Sequence, residues 1–305
     1  MSTSAVSAAA DARVTVPLRE DARVIGLVGL AHASSHFAHL LLPPLFPVFA
    51  TEFGLSFSQL GLLMTVFFVI SGVGQAMSGF LVDRVGARPV LFGSLLCFIV
   101  ASLSGYFAQG WGGLLLVAVF AGLGNAPFHP VDFSILNHRV SGPRLGYAFS
   151  AHGLSGNLGW ALTPVFLLFF TELSSWRTGY LAAALLYAGV LAVLVLQRER
   201  LLTGAVVPHA HGDAQGGGAG FLRLPVVWWC FAFFLLSTLT LAVVQNFASP
   251  IMKAMHGVSF EAATTMITAY MLCGALGMLV GGFVAARMPA ASDHVVAWAM
   301  GVGAL

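Results

Sequence analysis

Long apolar runs separated by short polar breaks dominate the chain, and each run has the length a bilayer demands. A hydrocarbon core about 30 Å thick takes about 20 apolar residues in a helix. Runs of that kind fall at residues 24–50, 57–82, 89–108, 112–138, 145–171, 177–197, 224–252 and 260–286. The pattern predicts an all-α polytopic membrane protein with eight complete transmembrane helices. A ninth run begins near Val295 and stops at Leu305. Some ten residues rising about 1.5 Å each do not cross a bilayer, so the pattern reads as a C-terminally truncated protein. Residues 1–22, rich in Ala, Ser and charge, read as a mobile tail; 23–197 as a six-helix bundle; 198–223 as a linker; and 224–305 as an incomplete second bundle.

Composition agrees with the pattern. The chain is 58% apolar and 8% charged, against about 25% charged in soluble domains, which excludes a soluble enzyme. A net charge of +2, dispersed along the chain, gives no footprint for nucleic acid. The basic residues report orientation instead. With the N-terminus inside, Arg13, Arg19, Arg23, Arg84, Arg88, Arg139, Arg144, Arg198, Arg200, Arg223 and Arg287 fall on the inner side, and only Arg177 and Lys253 fall outside. That asymmetry predicts a multi-pass cell (inner) membrane protein with a cytoplasmic N-terminus. Three arginines precede the first apolar run as in a signal peptide, but Glu20 and Asp21 intrude and the run continues to Phe49, so no cleavage is expected. The linker holds a Gly-rich stretch at 215–220 with His209 and His211, which read as solvated. Cys97, Cys230 and Cys273 sit in apolar runs without metal or redox spacing and read as small core residues.

A shift of 203 residues aligns Gly54-Leu55-Ser56-Phe57 with Gly257-Val258-Ser259-Phe260, then Thr65 with Thr268, Gly74 with Gly277, Gly79-Phe80 with Gly282-Phe283 and Arg84 with Arg287, without a gap. Pro47 also falls on Pro250. Weak self-similarity at such an offset marks duplicated transporter halves. If spans 2 and 8 correspond, six helices form one repeat, both copies share an orientation, and twelve spans are expected in all.

The loop after span 2 carries Gly79, Asp83, Arg84, Gly86 and Arg88 in the string Gly79-Phe80-Leu81-Val82-Asp83-Arg84-Val85-Gly86-Ala87-Arg88. It resembles the cytoplasmic signature of the major facilitator superfamily, departing from it at Ala87, where a basic residue is usual. In that family the loop's acid braces the two halves through a helix N-terminus; the second copy has Ala286 where the acid would stand. Leu41-Leu42-Pro43-Pro44-Leu45-Phe46-Pro47, Gly122-Leu123-Gly124-Asn125-Ala126-Pro127-Phe128-His129-Pro130 and Ala151-His152-Gly153-Leu154-Ser155-Gly156-Asn157-Leu158-Gly159 look like the fosmidomycin-resistance branch of the superfamily. That resemblance implies a proton-driven, monomeric exporter of small drugs or metabolites that works by alternating access, with small molecules, protons and lipid as its partners and no cofactor.

Ionisable groups inside spans cost about 2.5–3.5 kcal/mol for Asp and default to functional candidates. Span 4 holds Asn125, His129 and Asp132, spaced four and three apart on one face, with Pro130 expected to loosen the backbone beside them. Span 1 holds His32, His36 and His39 at the same spacing, and the span 4–5 hairpin brings His152 to the depth of Asp132. Superfamily architecture places spans 1 and 4 around a central cavity, so these stripes would converge. Asp132 is expected to carry the proton, with His129 and His36 as relay or substrate contacts. His32, His39, Asn125 and His152, and Gln245 and Asn246 from span 7, are expected to contact substrate. The glycines Gly153, Gly156 and Gly159 read as a close-packing face. No nucleotide-binding loop or catalytic-triad spacing appears, so an enzyme is not expected, and no metal site is assigned. No Lys or Arg lies deep in a span, which keeps open a neutral or weakly polar metabolite, imported or exported, and a membrane remnant without transport remains the other alternative.

Overall fold

The computed structural model describes residues 16–203, 223–287 and 292–303. All regular structure among the described residues is helical, without a strand. Eight segments are long and apolar enough to cross a membrane. Span 1 combines α1 (Leu18–His39) and α2 (Phe46–Phe53), and spans 2 and 3 are α3 (Phe57–Val85) and α4 (Ala87–Tyr106). Span 4 combines α5 (Trp111–Asn125) and α6 (Phe128–Arg139). Spans 5 to 8 are α7 (Leu145–Leu173), α8 (Trp176–Leu196), α9 (Pro225–His256) and α10 (Phe260–Arg287), and α11 (Ser292–Gly303) follows.

Two spans are interrupted, and proline position explains both. In span 1, Pro43 and Pro44 lack the N–H that would continue the helix. The chain passes through a 3₁₀ turn, Pro43–Leu45, in which Leu45 N–H reaches Leu42 O at 3.1 Å. In span 4 the break falls at Ala126–Pro127, not at Pro130 as the sequence suggests. Pro130 is the third residue of α6, where a backbone N–H has no intrahelical partner to lose.

The duplicated turn survives as backbone geometry. Gly54 closes α2 at φ 64° and Gly257 closes α9 at φ 63°, both left-handed, a conformation that costs other L-residues about 1–2 kcal/mol. Two residues later the repeat supplies a serine to cap the next helix. Ser56 Oγ accepts from Gln59 N–H at 3.2 Å, and Ser259 Oγ accepts from Ala262 N–H at 3.3 Å.

The first six spans share one apolar core. Helix α1 lies along α7, α4 between α5 and α8, and α3 along α5. Tyr180, fully buried on α8, donates its hydroxyl to Leu41 O at 2.7 Å and so ties down the span 1 break. Residues 18–22 do not belong to the tail expected over 1–22. Helix α1 starts at Leu18 with Glu20 and Asp21 in its first turn, where the helix dipole favours acids. Asp21 is 0% exposed and accepts from Arg144 Nη1 at 2.6 Å and Ser141 N–H at 3.2 Å. This clasp fixes the start of span 1 to the turn between spans 4 and 5; residues 1–15 lie outside the described residues.

Helix α10 packs along α7, while α9 touches the Pro43–Leu45 turn and α2. The buried residues of α9 are Gln245, Asn246, Ser249 and Pro250. Cys230 and Cys273 are exposed and Cys97 is half-buried, all free thiols, so the core placement expected for the first two does not hold. His209, His211 and the Gly-rich stretch lie outside the described residues.

Candidate functional site

Inside the first bundle, spans 1, 4 and 5 bring a band of polar side chains together. Its histidines stand on one stripe of α1, because steps of four and three residues return to the same face. His32 and His36 are buried and His39 is half-buried.

At one end of the band, Asn125 organises three helices. Its Oδ1 accepts from Ser35 Oγ at 2.7 Å and His39 Nε2 at 2.8 Å, and its Nδ2 donates to Ser71 Oγ at 2.6 Å. His39 is thereby committed to a structural bond. At the other end, His152 Nε2 stands 3.0 Å from Asp132 Oδ2. Asp132 is 0% exposed, and its Oδ1 has no partner among the described residues. His32 stacks on His152 with ring centroids 3.5 Å apart, and its Nδ1 lies 2.8 Å from His152 O.

Between these ends His36 lies 4.3 Å from His32 and 4.1 Å from Trp160, centroid to centroid, and His129 lies 5.3 Å from His32. Gly156 of α7 makes the space: a Cβ there would stand 2.7 Å from His36 Nδ1 and 2.9 Å from His32 Cε1. Burial in an apolar bundle disfavours an isolated charge, while contact between a carboxylate and an imidazole favours the ion pair. Asp132 and His152 thus meet as a buried carboxylate–imidazole contact.

The other sequence candidates lie apart. Gln245 Nε2 donates to Met271 Sδ at 3.7 Å and Asn246 Nδ2 to Ala242 O at 2.7 Å, so neither hydrogen-bonds to the histidine band. Asn246 instead borders a groove of about 660 Å³ between spans 2 and 7. In the signature turn, Asp83 and Arg84 are exposed, Gly79 lies within α3, Gly86 caps that helix at φ 85°, and Arg88 Nη1 reaches Arg198 O at 3.4 Å after span 6. The side chains of 282, 283 and 285–287 in the second copy lie outside the described residues. Ser35, Ser71 and Trp160 belong to the site and were not singled out from sequence. Ser35 sits three residues after His32 and shares its stripe, so the same spacing argument reaches it; Ser71 carries no such signal.

Comparison with known proteins fits this architecture. The family model of the Major Facilitator Superfamily matches residues 28–305. The chain is 25% identical over 273 residues to the fosmidomycin resistance protein of Escherichia coli (strain K12), covering 88% of this chain and 66% of that protein. It is 28% identical over 248 residues to the membrane sensor protein UhpC of Salmonella typhimurium, covering 74% of this chain and 55% of that protein. Among solved structures, a bacterial homologue of the human lysosomal transporter Spinster, inward-facing and unoccupied, superposes with a TM-score of 0.67 at 20% identity, over 90% of this chain and 64% of the other. The chain thus spans about two thirds or less of the length of these relatives.

Proposed function

The chain belongs to the Major Facilitator Superfamily, and we propose that it serves a proton-coupled secondary transporter that exports a small drug or metabolite across the bacterial inner membrane by alternating access. The observation that carries this reading is Asp132, a fully buried carboxylate bonded to His152 through one oxygen and unpartnered at the other. An acid held in that way inside a membrane bundle is costly unless it works. One extra proton on the Asp132–His152 pair changes the charge of the site by one unit, and the energy of that change is what couples a proton gradient to the conformational switch. His36 and His129 stand beside the pair as relay, and His32, with the Asn125–His39 node beyond it, lines the path a substrate would share.

Everted vesicles with an imposed pH gradient and fosmidomycin as probe test the reading. Asp132→Asn keeps size and hydrogen bonding and removes the titration, so it is expected to abolish gradient-driven accumulation while sparing substrate exchange. Accumulation equal to that of the parent would move the carrier elsewhere, His36 first. His129→Gln is expected to shift the pH dependence without abolishing transport.

A second reading, a membrane sensor that binds its ligand without moving it, is favoured by the likeness to UhpC. Ligand binding without accumulation under any gradient would select it. Because Lys and Arg are absent from 24–83, 89–138, 145–176 and 178–197, an anionic cargo such as the phosphonate probe would have to be met by imidazolium alone, and failure of the parent protein to accumulate it would select a neutral or weakly polar metabolite instead.

A further inference from the structure

We propose that His32, His36 and His129 bind one borderline divalent transition-metal ion, of the Zn²⁺ or Co²⁺ kind. Their ligand nitrogens all lie within 4.8 Å of one another: His32 and His36 stand four residues apart on one helix face, a spacing that suits two ligands, and the third arrives from a different span, which the sequence does not announce. The tautomer of His32 is the decisive detail. Its Nδ1 faces His152 O at 2.8 Å, and a carbonyl only accepts, so Nδ1 carries the hydrogen. Nε2 is then left with a bare lone pair, buried and without a partner among the described residues. Metal-bound histidines are oriented in the same way, through a second-shell bond from the other ring nitrogen. His36 Nδ1 is also buried without a partner, and an orphaned buried acceptor is costly enough to need an explanation.

Tetrahedral coordination at about 2.0–2.1 Å puts imidazole nitrogens about 3.4 Å apart, so the three must close by about 1.4 Å or less. His129 is half-buried, less enclosed than His32 and His36, and is the ring required to rotate in. Three imidazoles leave a fourth position for water or a ligand oxygen, and they select Zn²⁺, Co²⁺, Ni²⁺ or Cu²⁺ over Mg²⁺ and Ca²⁺, which take oxygen. The carboxylate of Asp132 lies close by, its Oδ1 unpartnered, and offsets the added charge.

The claim concerns binding and stands whether or not Asp132 carries a proton; a bound ion would take His36 and His129 out of the relay assigned to them above. The test is a titration of Co²⁺ into the detergent-purified, tag-free protein, followed by visible absorption. Saturation at one equivalent with the strong bands of a four-coordinate ion, displaced by Zn²⁺ and untouched by Mg²⁺ or Ca²⁺, is expected. His36→Gln and His129→Gln should each weaken binding by about 100-fold or more. His129, half-buried where His32 and His36 are buried, gives the variant least able to disturb folding, so its result decides if His36→Gln does not fold. Asp132→Asn should still bind one equivalent, which separates this claim from the transport reading. A paired His209→Gln and His211→Gln change should leave the spectrum intact. The proposal is overturned if no saturable band forms, if His129→Gln binds as the parent does, or if the linker pair abolishes the signal.

Discussion

The glycines of span 5 offer a graded test of how tightly spans 1 and 5 are packed. A Cβ at 159 would stand 2.2 Å from Ala33 O. Ordinary carbon–oxygen contacts are about 3.3–3.6 Å, so α1 and α7 would have to part by about 1 Å, and a backbone carbonyl has no rotamer by which to yield. At 156 the obstacle is the imidazole of His36 at 2.7 Å, which can tilt; at 153 it is Met278 Cε at 3.5 Å, an ordinary contact; at 146 nothing lies within 4 Å. Against these costs, alanine gains about 0.8–1.0 kcal/mol over glycine in a helix. Overpacking costs about 1–3 kcal/mol, with the rigid carbonyl at the upper end. Gly159→Ala should therefore lose about 2 kcal/mol net, Gly156→Ala about 0–2 kcal/mol, and Gly153→Ala and Gly146→Ala should be neutral or slightly stabilised. Thermal unfolding in detergent, read as the loss of the monodisperse peak on size exclusion, gives the ranking, with a shift on the order of 5 °C for Gly159→Ala. If Gly159→Ala melts with or above Gly146→Ala, the close approach of α1 and α7 is refuted.

Asn125→Ala strips partners from Ser35, His39 and Ser71 together, and at about 1–3 kcal/mol for each buried polar group left unsatisfied it should be the most destabilising single change in the polar band by the same assay. Gly54→Ala and Gly257→Ala should each lose about 1–2 kcal/mol, because both turns are left-handed; a loss at one alone would mean the duplicated turn no longer does the same work in both copies. Single cysteines introduced at 84–88 and at 198–223 should react with an impermeant maleimide from the cytoplasmic side only, and labelling of 198–223 from outside would overturn the proposed orientation. Limited proteolysis in detergent should cut beyond residue 222 before it cuts within 23–197, since α9 buries so little; equal resistance of the two parts would contradict that.

The spans were legible because a bilayer imposes one length and one polarity on whatever crosses it, and that requirement is written residue by residue. The interruptions were harder to place. Pro43, Pro44, Pro127 and Pro130 look alike in sequence, but the cost of a proline depends on how far it stands from a helix start, which is known only once the helices are. Convergence of the span 1 and span 4 stripes followed from spacing and from family resemblance. Asp21 was assigned to a tail because its neighbours are charged, while its partner Arg144 stands 123 residues away, beyond the reach of any periodicity. Ser71 was invisible for a related reason: a serine in an apolar helix is too common to signal a hydrogen bond that arrives from another span.

The outward faces of this molecule are greasier than much of its interior: Phe80, Leu196 and Trp229 point away from the protein while Asp132, Asn125 and His32 are shut inside it. Tolerance to change should be inverted accordingly. On a water-soluble domain the outermost positions accept nearly any polar residue within about 0.5 kcal/mol. Here an aspartate placed at Leu185, 67% exposed on α8, would meet hydrocarbon and cost about 2.5–3.5 kcal/mol near the middle of the span. The positions that drift most freely in soluble relatives of any fold are, in this chain, held by the solvent itself.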